Sequence, residues 1–330
     1  MMRRACVLVL LAASAAAREP DGTLGLIQTP NNGMPALVRA GETFDAVLRQ
    51  QAALRLTGVD GELAVEWQTL PGGHARGKCL VPAGTPPGCY ALEADADRNA
   101  RAVYVYDAFP DTYAIAHLSD THIGSGKGER TPEAILGDVL AAVNASGAAF
   151  ALVTGDLTHG GEPDQFRAFI EALDTCTLPT FVCPGNHDRT ALNYERFFGP
   201  LVYSFRFGQD GYLSFDTKDF NTADELGTQD ADLEILRRAI KPCRWSIGFT
   251  HRYEMSMGMR SQLILFVDNP LDVLIFGHWH RANTEDEERV PWGTTHITVV
   301  PAAVNGSMRL IDVGPPGFQF REPERVAKLR

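Results

Sequence analysis

From residue 113 onward, short unbroken apolar runs alternate with stretches in which apolar positions recur every three or four residues. The runs fall at 113–118, 150–153 and 180–182. A run of this length without polar alternation predicts a strand covered on both faces. Residues 132–143 and 165–173 carry helical spacing. Further strands are expected at 202–207, 212–216, 245–249, 273–276 and 296–300, with a helix over 233–240. Alternating strands and helices predict a layered α/β domain.

The pattern before residue 110 is different. Leu63-Ala64-Val65-Glu66-Trp67 and Arg101-Ala102-Val103-Tyr104-Val105-Tyr106 alternate apolar with polar. Turn signals separate such segments at Pro30-Asn31-Asn32-Gly33, Asp60-Gly61, Pro71-Gly72-Gly73 and Pro86-Pro87-Gly88. Residues 44–56 fit helix or strand. The region reads as a small all-β, immunoglobulin-like sandwich. The pattern changes at Ala108-Phe109-Pro110-Asp111, so domains are expected over 18–110 and 111–330.

Residues 1–17 are expected to be a cleaved export signal, making the protein periplasmic or secreted. Arg3 and Arg4 form a basic start, 5–13 a short apolar run, and Ser14-Ala15-Ala16-Ala17 a small-residue cleavage region. The run is too short to span a bilayer.

At 330 residues there is room for two domains, and the 45% hydrophobic and 22% charged content is ordinary for a packed protein. The formal charge is −11, and losing Arg3 and Arg4 with the signal would take it to −13. So acidic a chain is poorly suited to a long nucleic-acid footprint. Beyond the signal lie Cys79, Cys89, Cys176, Cys183 and Cys243. Cys79 with Cys89, and Cys176 with Cys183, could bridge in an oxidising compartment; small buried thiols are the other reading. None stands at a metal-ligand spacing.

Five polar blocks follow the apolar runs: Asp120-Thr121-His122, Gly155-Asp156, Gly185-Asn186-His187-Asp188, His251 and Gly277-His278-Trp279-His280. Asp120 and His122, like His278 and His280, are two apart, which in extended backbone points both side chains the same way. The glycines allow sharp turns where the chain leaves a strand. Open α/β sheets bind their ligands at such strand ends. The oxygen and imidazole donors suit a two-metal hydrolytic site holding divalent or trivalent iron, manganese or zinc.

In this order, the blocks resemble the calcineurin-like metallophosphoesterase superfamily. The resemblance implies an αββα sandwich over about 113–313 and a dinuclear phosphoesterase. It assigns Asp120, His122, Asp156 and His280 to one metal, and Asp156, Asn186, His251 and His278 to the other, with Asp156 bridging. His187 would be the catalytic histidine outside the metal shell, and Asp188 the residue that orients the site around it. Two divalent ions, two carboxylates and a bridging hydroxide would leave a charge of about +1 to attract a phosphoryl group.

Purple acid phosphatases carry Tyr three residues after the Gly-Asp aspartate, and Ser/Thr phosphatases carry Asp; this chain has His159. Gly155-Asp156-Leu157-Thr158 and Gly185-Asn186-His187-Asp188 are more similar to the cyclic-nucleotide and glycerophosphodiesterase-like branch. The expectation is therefore hydrolysis of a small phosphodiester by metal-bound hydroxide, with phosphomonoesterase or non-catalytic interaction protein as alternatives. His159, Arg189 and Arg252 are candidate substrate contacts.

Overall fold

The computed structural model describes residues 21–126, 128–216, 223–252, 262–290 and 293–329, with backbone alone over 223–231. The proposed signal, 1–17, lies outside the described residues.

Eight strands come first: β1 (Ile27–Thr29), β2 (Ala36–Arg39), β3 (Thr43–Leu48), β4 (Leu54–Leu56), β5 (Ala64–Thr69), β6 (Ala75–Leu80), β7 (Gly88–Ala94) and β8 (Asp97–Tyr106). They form two four-stranded sheets, β1-β3-β6-β5 and β2-β8-β7-β4. Alternate residues meet in one apolar core, for example Phe44, Ala46 and Leu48 of β3 against Val103 and Val105 of β8. The ambiguous 44–56 stretch is therefore two strands, its inward alternation outweighing its helical spacing. Cys79 and Cys89 lie on β6 and β7, which belong to opposite sheets, so the expected single hairpin does not exist. All five described cysteines are free thiols, so the Cys176–Cys183 bridge is absent too.

The second region runs β9 (Tyr113–Leu118), α1 (Pro132–Ala145), β10 (Phe150–Thr154), α2 (Pro163–Leu173), β11 (Thr180–Cys183), α3 (Asn193–Phe198), β12 (Tyr203–Phe207), β13 (Asp210–Ser214), α4 (Ala223–Ile240), β14 (Ser246–Phe249), β15 (Val273–Phe276), β16 (His296–Val299), β17 (Ser307–Gly314), β18 (Gly317–Phe320) and β19 (Glu324–Arg325). One sheet is ordered β11-β10-β9-β17-β18, with β19 paired to β17; the other is β12-β13-β14-β15-β16.

Alternation within the apolar runs explains the layers. On β10, Phe150 and Leu152 enter the core between the sheets, whereas Ala151 and Val153 pack under the helices. On β15, Val273 and Ile275 face the other sheet, and Leu274 and Phe276 face outward with α4 residues Leu233 and Ile240. Both faces of each sheet are covered, giving the expected αββα order. Among the described residues, no helix is long and apolar enough to cross a membrane.

The β-sandwich also braces the edge of the first sheet. Val182 N–H donates to the Gly33 carbonyl at 2.9 Å, and the Asn31 side chain to the Phe198 carbonyl at 3.0 Å. Strand β11, next to Gly33, runs directly into the Asn186-His187 turn.

Candidate metal centre

Strands β9, β10 and β11 run parallel, as do β13 to β16. Their carboxyl ends bring Asp120, His122, Asp156 and Asn186 from one sheet to His251, His278 and His280 from the other. Two groups have ligand atoms within 4.8 Å of one another: Asp120, His122 and His280, and Asp156, His251 and His278.

Within the first, His280 Nε2 lies 2.9 Å from Asp120 Oδ1, and 3.4 Å from His122 Nε2. In the second, His251 Nε2 lies 3.1 Å from Asp156 Oδ2 and 3.2 Å from His278 Nδ1. Two imidazole nitrogens on one tetrahedral ion stand roughly 3.3 Å apart, given bonds of about 2.0–2.1 Å. Asp156 Oδ2 is also 3.8 Å from His122 Nε2, which puts this carboxylate between the groups.

The backbone is not the extended one expected from two-residue spacing. Asp120, His122, Asp156, His278 and His280 all have positive φ, between 45° and 67°. Each pair converges because two left-handed residues coil the loop over the strand end, a conformation that disfavours side chains carrying a Cβ. Main-chain bonds hold it: Asp120 N–H to Gly155 O, His122 N–H to Asp156 O, and Gly277 N–H to His251 O, at 3.0, 3.0 and 2.9 Å.

The glycines also serve differently from each other. Gly155 has a φ of +77°, as a sharp turn requires. Gly185 and Gly277 do not; they are needed for space. A Cβ on Gly185 would sit 2.1 Å from Asp156 N, and one on Gly277 would sit 1.7 Å from Ser119 Oγ.

Hydrogen bonds set the imidazoles. The Thr154 carbonyl accepts from His251 Nδ1 at 2.8 Å and from Ser119 Oγ at 2.8 Å. His251 thus turns Nε2 toward the carboxylates, the usual support of a metal-binding histidine. Thr154 and Ser119 were not singled out from the sequence, because a carbonyl's role leaves no trace in residue type.

Charge is concentrated in the same place. Burial opposes a proton on His251, but Asp120 and Asp156 outweigh it and push its pKa up to about 9. The hydrogen bond to Asp120 raises His280. Burial acts against the Asp156 charge, yet its hydrogen bond to His251 and that residue's charge hold its carboxyl below the usual range. Carboxylates that retain a proton on a buried imidazole create the potential that a cation would fill. Asn186 Oδ1 fits that role: it is buried, lacks a hydrogen-bond partner among the described residues, and lies between two residues that touch Asp156. The donor set therefore fits metal ions.

His187 borders the centre. Its N–H donates to Asp156 Oδ1 at 2.9 Å, and its Nδ1 donates to the His159 carbonyl at 2.6 Å. The acceptor is thus a main-chain carbonyl of residue 159, the position at which Ser/Thr phosphatases carry Asp. Asp188 is fully buried, and its carboxylate accepts from the N–H groups of Leu157, Thr158 and Gly185, at 3.0, 2.9 and 2.8 Å, and from Thr158 Oγ1. It ties the Gly-Asp turn to the Asn-His turn rather than facing the centre.

Arg189, a candidate substrate contact, has a side chain that is 4% exposed and pairs with Glu195 at 3.1 Å and Asp216 at 3.3 Å. Those carboxylates hold the guanidinium in the interior. Arg252 is half-buried beside His251. Trp279 packs edge-on against Phe276 at 4.9 Å, with the Arg281 guanidinium over its ring, so it is a packing residue.

The model of the Calcineurin-like phosphoesterase family matches residues 113–282, about half the chain. The chain belongs to this family. It is a metal-dependent phosphoester hydrolase, and the family implies a dinuclear centre. A curated relative described as a probable cyclic nucleotide phosphodiesterase, from Vesicomyosocius okutanii subsp. Calyptogena okutanii (strain HA), is 23% identical over 186 residues, 52% of this chain and 79% of the relative. The fold is shared with a purple acid phosphatase from yellow lupin (Lupinus luteus) seeds: TM-score 0.51 and 12% identity, over 87% of this chain and 72% of that one. A dimetal phosphatase from Danio rerio aligns with TM-score 0.43 and 11% identity, over 65% and 98%.

Proposed function

We propose that this calcineurin-like phosphoesterase hydrolyses a small phosphodiester. Asp120, His122, Asp156 and His280 hold one ion, and Asp156, Asn186, His251 and His278 the other. The position of the Asp156 carboxylate carries this reading: its Oδ2 is 3.1 Å from His251 Nε2 and 3.8 Å from His122 Nε2, whereas Asp120 Oδ1, 2.9 Å from His280 Nε2, comes only to 3.9 Å from His251 Nε2. When bound, the ions activate a water and neutralise phosphoryl charge. Because the His159 carbonyl keeps a proton on His187 Nδ1, Nε2 is the atom that passes a proton to the leaving oxygen. Asp188 positions the two turns without touching substrate.

The diester preference draws support from the relative described as a probable cyclic nucleotide phosphodiesterase and from the lack of tyrosine at position 159. Metal analysis with a panel of aryl monoesters and diesters, cyclic nucleotides, glycerophosphodiesters and nucleotide sugars tests it. The expected result is bound iron, manganese or zinc, and kcat/KM at least about tenfold higher on a diester. Higher kcat/KM on monoesters would overturn the diester reading, and metal-free, inactive protein the enzymatic one.

The same proposal includes export through cleavage after residue 17, and a division into a sandwich over 18–110 and an enzyme domain over 111–330. The basic-apolar-small order of residues 1–17 supports export. Sequencing the amino terminus of protein recovered outside the cytoplasm would find Arg18 first.

A further inference from the structure

A third histidine group lies on the solvent side of the centre. Ligand atoms of His122, His159 and His187 are within 4.8 Å of one another, with His122 buried and His159 exposed. The His159 and His187 rings stack at 5.3 Å with 20° between their planes, and His122 meets His187 nearly edge-on at 4.9 Å. His159 is fixed through its main chain: its N–H donates to the Ile123 carbonyl at 2.9 Å, and its carbonyl accepts from His187 Nδ1. Its ring makes no hydrogen bond to the described residues.

The two-metal reading uses His122 but leaves the His159 ring and His187 Nε2 without a metal. The nearby Arg189 guanidinium is drawn off by Glu195 and Asp216. Imidazole pairs are borderline donors, suited to zinc and similar divalent ions rather than to calcium or magnesium. Two nitrogens on one zinc need a separation of roughly 3.3 Å, and rotation of the exposed His159 ring supplies the adjustment.

We propose that His159 and His187 form an accessory transition-metal site at the rim of the centre. Zinc binds through His159 and His187 Nε2, with water or phosphate oxygens completing its shell. Occupation removes Nε2 of His187 from the leaving oxygen, so excess zinc inhibits hydrolysis. The inhibitory part rests on the proposed role of His187; the binding part does not.

The test is zinc titration of the full-length, metal-loaded protein, reading bound zinc by equilibrium dialysis and hydrolysis of an aryl diester. Wild type is expected to hold two tight ions and one weaker zinc, with inhibition following the weaker one. His159→Ala should keep the tight ions, lose the weaker one, and need at least about tenfold more zinc for half-inhibition relative to its own rate. His159→Cys, which restores a zinc ligand, should bring the weaker ion back. Unchanged stoichiometry and zinc sensitivity in His159→Ala would overturn the proposal, as would a wild type that takes no zinc beyond the tight pair. Weaker zinc that depends on His159 but does not inhibit would support the site and instead count against the role given to His187.

Discussion

The turns of the β-sandwich and the loops above the α/β sheets both depend on glycine, for opposite reasons. At Gly58 and Gly61 φ is +78° and +83°, and a Cβ would meet nothing within 4 Å. There the requirement is a local backbone conformation. At Gly185 and Gly277 φ is unexceptional, and a Cβ would collide with Asp156 and Ser119. There the requirement comes from residues far away in the chain. Of the left-handed non-glycine residues, Asp95 and Arg101 lie in the sandwich and Ala191 and Leu192 lead into α3, whereas Asp120, His122, Asp156, His278 and His280 gather at the centre. Each costs on the order of 1 kcal/mol, so their clustering marks where packing and hydrogen bonds have overridden local preference. The sandwich is built to be stable, and the loops to converge.

The most damaging way to break that contrast is to alter the residue on which both ligand groups depend. Asp156→Asn should reduce hydrolysis to below roughly one hundredth and lower bound metal, both read on the same preparation. Full metal with normal turnover would refute the bridging assignment. His187→Ala should reduce kcat by about 10²–10⁴ while metal stays bound; loss of metal would make His187 a ligand instead.

The glycines themselves sharpen the comparison. Gly277→Ala should destabilise the fold by roughly 1–3 kcal/mol and deplete metal, since Ser119 and Asp120 must move. Gly61→Ala should cost about 1 kcal/mol and leave metal content untouched. Thermal denaturation with metal analysis compares them; equal metal loss would erase the distinction.

A smaller effect separates the regions by pH. His117 on β9 is fully buried, and burial lowers its pKa to about 3, so it folds neutral. The unfolded chain takes up that proton from about pH 6.5 downward, so stability is full above that pH and falls as the pH drops toward 3. Among the described residues of the sandwich the one histidine, His74, is not buried. Acid should therefore raise hydrogen exchange in β9 and its neighbours before β3 and β6. His117→Gln, which lacks the titrating group, should flatten that pH dependence; an unchanged acid limb would show that another group governs it.

Much of this was legible in the residues. The runs at 113–118, 150–153 and 273–276 became β9, β10 and β15, because strands buried on both faces need apolar residues throughout. The residues that gather at the centre were legible too, since carboxylate and imidazole types recur at strand ends. Residues 44–56 were not, because short apolar spacings suit either period until a partner sheet selects one. The pairing of Arg189 with Glu195 and Asp216 was not legible, because proximity to a motif does not show which carboxylates a guanidinium will meet.

By itself, the sequence determined most strands of the α/β region up to residue 300, which residue types can bind metal, and the class of reaction those types serve. Composition and period are local properties, and they survive in a one-dimensional string. Tertiary structure decided that His251, His278 and His280 from one sheet face Asp120, His122 and Asp156 from the other. It also decided that left-handed loops rather than extended spacing aim them, and that the carbonyls of Thr154 and His159 set the tautomers of His251 and His187. Those outcomes depend on two sheets packing with their carboxyl edges together, and on backbone groups that every residue carries alike.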